Sequence, residues 1–478
     1  MPSIDPKPVK INYDEYLSYE SVHRVRSELK ALRPYFELPG MISFGGGYPH
    51  PSTWPINGMT LSVPFAKSSA FVPGYGVSTP EQLLPQAPYT APLKGEALSS
   101  HLSTELQYGS PYGAHHFVKW LKEHVRRIHN PPNENWDVLN TAGNTDAVDG
   151  IFRTLCNRGD SLLVEEFAYP GTLTTAETMG ISCVGVTMDN DGIDPTALDE
   201  VMENWDEEKR GSRKPRMVLM VPTCSNPTGS TTPEYRKREL YAVCRKHSLL
   251  IVEDDPYCFL QIRPNGADSP IIPTFLSMDV DGRVLRLDSF SKIVAPGSRC
   301  GWLTGPTELV SRVMMRSECS TQCPSGFSIA AISTVLRAWG SHEGFENNYL
   351  PYISNIYKER CLFMINLFEK YLPKSTCEWP EGSGGMFLWV RLKTEAHPEI
   401  TTLSPEDISN RVFKQAIDER VLLAQSRYFK SAGGKEWTKE EEAKRIYLRL
   451  CFANPTLEDM EEGVQRFARA LKREFKLE

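Results

Sequence analysis

The stretch RVLRLDSFSKIVAPGSR, residues 283–299, begins as a short apolar run and ends on a lysine between serines, with an arginine seven residues on. Lys292 is the only lysine between Lys246 and Lys358. The run predicts a buried strand whose carboxyl end carries the polar tail. Two upstream stretches repeat the pattern. RMVLMVP, residues 216–222, leads into TCSNPTG, and SLLIVED, residues 248–254, leads into DPY.

Working outward, the alternation continues. WDVLNT, 136–141, reads as a strand, followed by a Gly-containing turn and a helix with Asn144 as its candidate cap. SLLVEE, 161–166, is another strand, ending at FAYPG, and Thr232 and Pro233 begin a further helix. Ahead of these, Phe117, Leu121, Val125 and Ile128 repeat at helical spacing on one face. Short apolar strands alternating with helices predict an α/β fold with a mostly parallel sheet covered on both faces. In such sheets ligands sit beyond the carboxyl ends of the strands, where the polar clusters fall.

From about residue 346 the character changes. A long helical stretch leads to GGMFLWVRL and RIYLRLCF, strands of a smaller α+β domain. The chain closes on a helix in which Leu457, Met460, Val464, Phe467 and Leu471 form a packing stripe behind a Thr456 cap. The expected division is 1–104 for an N-terminal arm and part of the small domain, 105–345 for the large domain and 346–478 for the small C-terminal domain. Within the first part, residues 72–97 are rich in proline and without period, which predicts a long loop or insertion.

Composition narrows the class. A chain of 478 residues, 40% hydrophobic and 24% charged, is the size and make-up of a multidomain enzyme. A net charge of -7 argues against nucleic acid as a partner, because phosphate-binding proteins gather basic residues on one face. No apolar window is long enough for a membrane span, and neither MPSIDPKPVK nor the final KLE reads as a targeting signal. Eleven cysteines without a signal peptide fit the reducing cytoplasm. Cys319 and Cys323 have no second ligand pair at zinc spacing, so no metal site is expected.

A lysine at the end of an apolar strand is apt for chemistry. Burial disfavours the cation, and the neutral amine can form a Schiff base with a carbonyl. Ser289, Ser291 and Arg299 are placed to hold a phosphate beside that amine, and pyridoxal 5'-phosphate carries both an aldehyde and a phosphate. A serine-rich turn with an unrelated arginine has the same spacing. The other strand ends favour the cofactor. Asp254 suits a protonated pyridine nitrogen, and Tyr257 and Asn226 suit the ring's phenolic oxygen.

The succession GNTDA, AYPGT, NPTG, VEDDPY, SFSK and PGSRCGW resembles that of fold-type I pyridoxal-phosphate aminotransferases, in the branch of fungal aromatic-amino-acid and kynurenine/2-aminoadipate aminotransferases. The likeness runs from about Ser43 to Phe452. It implies the aspartate aminotransferase-like fold. It also implies roles: Lys292 would form the Schiff base and carry the substrate's proton, and Asp254 would pair with the ring nitrogen. Asn226 and Tyr257 would hold the phenolic oxygen, and Tyr169 would stack on the ring. Ser289, Ser291 and Arg299 would bind phosphate with the helix at Asn144 and Thr145, where some relatives carry Ser-Gln. Tyr108 would reach the phosphate of a neighbouring subunit, which implies a homodimer with shared active sites.

At the substrate end, Arg449 in IYLRLCF is a charge inside an apolar strand pattern, and the resemblance makes it the clamp for an amino acid's α-carboxylate. Gly46 and Gly47 of FGGGYP would bring backbone close to the same site. Tyr48, Tyr75, Tyr112, Phe387 and Tyr428 are candidates for an aromatic pocket. The expected reaction moves the amino group of phenylalanine, tyrosine or tryptophan to 2-oxoglutarate, with 2-aminoadipate and kynurenine as alternative donors. Two other readings keep the cofactor, a lyase or decarboxylase and a ligand-sensing regulator. The carboxylate clamp speaks against the first, and the short lead before ISFGGG together with the acidic charge of the whole chain against the second. A nicotinamide enzyme would need a strand-GxGxxG-helix unit that is absent from the sequence.

Overall fold

The computed structural model describes residues 4, 7–24, 59–61, 63, 89–91, 102–263 and 270–477. Its main sheet has seven strands in the order β3-β11-β10-β9-β8-β4-β5. These are β3 (Trp136–Thr141), β4 (Ser161–Glu165), β5 (Ser182–Val186), β8 (Met217–Met220), β9 (Leu250–Asp254), β10 (Val284–Ser289) and β11 (Gly301–Pro306). Every residue of β4, β8, β9, β10 and β11 is buried, as expected where helices cover both faces of a sheet.

Strand alternation sends Ile251 and Val284 into one core and Leu250, Val252, Leu285 and Leu287 into the other. The second core includes Ala147, Val148, Ile151 and Phe152 of the helix Asn144–Leu155. That helix therefore lies on the face to which Asp254 and Ser289 also alternate. The register pairs Leu287 with Asp254.

The strands read from sequence are all present, and β5 and β11 join them. β11 runs antiparallel to both its neighbours. Its composition, GWLTGP, hides it as a strand, but the glycines are there because neighbouring backbone is close. A Cβ on Gly301 would stand 2.6 Å from the Asp288 carbonyl oxygen.

A short hairpin of β6 (Met188–Asp189) and β7 (Gly192–Ile193) follows β5. After β11 the chain runs through the helices Thr307–Glu318 and Gly326–Ala338, then through one π-helical turn, Phe345–Tyr349, into the helix Leu350–Tyr371. Beyond it an antiparallel sheet has the order β12-β13-β15-β14, built from β12 (Cys377–Glu378), β13 (Phe387–Leu392), β14 (Ala424–Gln425) and β15 (Tyr447–Cys451). Its own core joins Leu388, Val390 and Leu448 to Val412, Val464, Phe467 and Leu471. The closing helix is as expected, with the Thr456 hydroxyl accepting from the Asp459 N–H at 3.0 Å.

Two expectations need correction. Residues 72–97 are not loop throughout, because β2 (Tyr89–Ala91) pairs antiparallel with β1 (Met59–Leu61). The remainder of that stretch lies outside the described residues. Asn144 is not a helix cap but the first helical residue, and Gly143 takes the cap position. Gly143 has φ +90°, and a Cβ there would lie 2.4 Å from the Arg299 guanidinium, so both conformation and space demand glycine. Among the described residues no helix is long and apolar enough to cross a membrane.

Candidate active site

A cavity of about 390 Å³ opens at the carboxyl ends of β4, β8, β9 and β10. Tyr169 reaches it from the segment after β4, Asn226 from the turn after β8 and Asp254 from the last residue of β9. Ser289 ends β10 and Lys292 closes the 3-10 turn Phe290–Lys292 that follows. Asn144, Thr145, Tyr257, Ser291, Arg299 and Phe387 also stand on its walls. Residues scattered over 244 positions of sequence, Asn144 to Phe387, thus meet in one space.

One end of the cavity is built for an anion. Arg299 has φ +45°, and its guanidinium donates to Ser291 Oγ at 3.3 Å and to the carbonyls of Pro296 and Ala142 at 3.0 Å. Ser289 Oγ bonds Ser291 Oγ at 2.8 Å and accepts from the Ser291 N–H at 3.0 Å. The helix Asn144–Leu155 points its N-terminus at the same place, where main-chain N–H groups and the helix dipole favour negative charge.

The opposite end is acidic and buried. Burial pushes the Asp254 carboxyl up to about 6, against a hydrogen bond from the Asn144 amide that pulls it down. Burial likewise raises the Tyr257 hydroxyl, helped by the Asp254 charge, while a hydrogen bond with Asn226 works the other way. Lys292 is moved in the direction that favours the free amine, by burial first and then by the Arg299 cation. Among the described residues it has no carboxylate partner.

Arg449 lies on β15, opposite Trp389 in the β13–β15 register. Its guanidinium is sandwiched between the rings of Phe387, at 4.5 Å, and Phe429, at 4.8 Å. It donates to Asn226 Oδ1 at 2.6 Å, while its Nε is buried without a partner among the described residues. Burial lowers its pKa. A half-buried guanidinium with one neutral acceptor is fit to clamp a carboxylate.

Not every expected residue converges. Tyr112 packs against the core instead of lining the cavity, and its carbonyl accepts from the Asn140 N–H at 2.9 Å. Tyr428 is 46% exposed and gives its hydroxyl to Gln425 at 3.2 Å. Its neighbour Phe429, which the sequence reading passed over, is the ring at Arg449. The 3-10 turn Ser426–Tyr428 rotates adjacent side chains apart, and nothing in SRYFKS distinguishes the two aromatics beforehand. The Phe429 carbonyl also accepts from the Ala168 N–H at 2.8 Å, next to Tyr169. Tyr108 is 61% exposed and off the cavity wall. Gly46, Gly47, Tyr48 and Tyr75 lie outside the described residues.

Comparison with known proteins agrees with this geometry. Residues 83–467 match the family described as aminotransferase class I and II. An aromatic amino acid aminotransferase of Schizosaccharomyces pombe is 35% identical over 482 residues, covering 96% of this chain and 98% of its own. An L-tyrosine:2-oxoglutarate aminotransferase of Tapinella panuoides is 34% identical over 422 residues, 85% of this chain and 79% of that one. Among solved structures, aminotransferase Aro8 from Candida albicans superposes with a TM-score of 0.88 at 33% identity, covering 98% of this chain and 100% of its own. With its main sheet, its second sheet and a lysine-bearing cavity all of that pattern, the chain belongs to the class I and II aminotransferases.

Proposed function

We propose that this enzyme uses pyridoxal 5'-phosphate to move the amino group of phenylalanine, tyrosine or tryptophan to a 2-oxo acid, typically 2-oxoglutarate. The observation that carries the reading is the placement of Lys292 in one cavity between an anion cradle and a buried acid. The cavity fits the cofactor. Asp254 is a buried carboxylate that, among the described residues, accepts a hydrogen bond from a neutral amide and has no ion-pair partner, which suits a protonated ring nitrogen. Arg299, Ser289, Ser291 and Thr145 suit the phosphate, Asn226 and Tyr257 the phenolic oxygen, and Tyr169 the ring face.

When bound, the cofactor supplies an aldehyde for the amino group and a ring that accepts electrons from the substrate's α carbon. The chain does the rest. Lys292, for which no carboxylate partner stands among the described residues, would carry the proton between the substrate's α carbon and the cofactor carbon that receives the amino group. Arg449 holds the α-carboxylate, with Phe387 and Phe429 fixing the plane of its guanidinium. Those two rings also make the substrate end aromatic, which supports the choice of donor, as do the names of the relatives. We take 105–345 as the cofactor-binding domain, 346–478 as the small C-terminal domain and 1–104 as an arm and part of the small domain, in a cytoplasmic homodimer in which the exposed Tyr108 would reach the partner's site.

The test follows the visible band of the bound cofactor. Phenylalanine alone should bleach it and 2-oxoglutarate should restore it in wild type, while Lys292→Ala fails to complete the cycle. A band that phenylalanine leaves unchanged but 2-aminoadipate or kynurenine bleaches moves the enzyme to those donors. No band after incubation with pyridoxal phosphate overturns the reading.

A further inference from the structure

The side chain of Asn144 has two N–H bonds to give, and the fold uses both. Nδ2 donates to Asp254 Oδ1 at 2.6 Å and to the Leu287 carbonyl at 3.3 Å. Leu287 and Asp254 are register partners on β10 and β9, so one amide spans two strand ends from the first residue of the helix beside them. Its Oδ1 is buried and has no hydrogen-bond partner among the described residues. Turning the amide over would set that oxygen against a carboxylate and a carbonyl, three acceptors facing one another. The orientation is therefore fixed, and no side-chain N–H is left for a phosphate.

The anion cradle is complete without it. Arg299 and Ser291 are held by each other and by the Ala142 carbonyl, and Gly143 lets the guanidinium approach the helix start. Asn144 is next in sequence to Gly143 and so stands between the cradle and the buried acid.

We propose that Asn144 is a positioning residue for Asp254, fixing how the carboxylate faces the cavity and tying the ring-nitrogen end of the site to its phosphate end without binding phosphate through its side chain. The proposal rests on the cofactor reading above.

Its consequence is a particular pH behaviour. Asp254 is faced by Asn144 from the helix, Tyr257 from the turn after β9 and Lys292 across the cavity, with Glu165, Asp255 and Arg286 on the other side of the sheet. Among the described residues only Asn144 donates a hydrogen bond to its carboxylate. Removing that donor leaves burial less opposed, so the carboxyl holds its proton to higher pH.

The experiment uses the reconstituted holoenzyme as wild type, Asn144→Leu and Asn144→Ser. Leu keeps the volume and removes the donor, and Ser keeps the measurement open where Leu disturbs folding. Two quantities are read, the acid limb of the pH profile for bleaching of the cofactor band by phenylalanine, and the ³¹P resonance of the bound cofactor. The expected result is an acid limb raised by about one pH unit with the ³¹P resonance unmoved. A limb that stays put overturns the proposal, and so does a ³¹P resonance that moves, whichever way the limb goes. A wild-type protein with no cofactor band is a different failure and strikes the cofactor reading itself.

Discussion

β9 and β10 carry charge on both faces, and the two faces treat it in opposite ways. On one, the fully buried Arg286 donates to Asp288 through Nε and Nη2 at 2.9 and 2.7 Å, to Asp255 at 2.9 Å, and lies 3.1 Å from Glu253. Glu253 further accepts the N–H groups of Phe275 and Leu276, and Asp255 the Thr223 hydroxyl. Among the described residues that cluster is closed but for one oxygen, Asp255 Oδ1. On the other face, among the described residues, Asp254 has a neutral amide, Lys292 no carboxylate, and Arg449, arriving from β15, a neutral oxygen. Charges that find their counterions within the fold hold the strands in register, and charges left short of one mark where a ligand belongs.

The sharpest way to break this comparison is to exchange a residue on each face. Lys292→Ala should lower turnover by about 10²–10⁴-fold while leaving the denaturant midpoint near that of wild type, as read by steady-state rates and urea unfolding. Arg286→Met should do the reverse in kind. It strands three buried carboxylates and should cost about 3–5 kcal/mol in urea unfolding, with the folded fraction still able to show the cofactor band. Equal stability losses from the two substitutions would erase the distinction.

Arg449→Lys sharpens the open face. A single ammonium cannot match a fork held between two rings, so KM for phenylalanine should rise roughly tenfold with kcat within about twofold. A fall in kcat at unchanged KM would move Arg449 from binding to chemistry.

The smallest effect concerns a residue that sits on Arg286's side and lacks a cation. Leu163 and Glu165 alternate onto that side of β4, and burial pushes the Glu165 carboxyl up to about 8 although the Val221 N–H pulls the other way. Its folded value lies above its unfolded one, so its favourable contribution is whole at low pH and is lost as pH rises toward about 8. Glu165→Gln should match wild type near pH 5 and gain stability steadily toward pH 8, on the order of 1 kcal/mol. A gain independent of pH would show that Glu165 is not held neutral.

Much of this was legible in the sequence because each feature had a local cause. The apolar runs ending in NPTG, EDDPY and SFSK announced buried parallel strands with polar ends, and Asn226, Asp254, Tyr257 and Lys292 all stand on the cavity. What sequence could not supply was direction. β11 was hidden because its glycines answer to the backbone of β10, a neighbour in space. Phe429 was missed for Tyr428 because a 3-10 turn decides which of two adjacent rings faces Arg449. The pattern located Asn144 at a helix start suited to phosphate, while only the register of β9 with β10 shows both hydrogens of its side-chain amide taken.

The reversal of β11 also sets a schedule. Lys292 and Arg299 lie in one short connection between antiparallel neighbours, so the lysine and its anion cradle close a small loop at modest entropic cost. Arg449 meets Asn226 across 223 residues of chain. During synthesis from the N-terminus, the charged groups lining the cavity, Asp254, Lys292 and Arg299, have left the ribosome well before β15 does. The clamp proposed for the substrate is the last part delivered, and until it arrives the growing chain carries the anion cradle without Arg449.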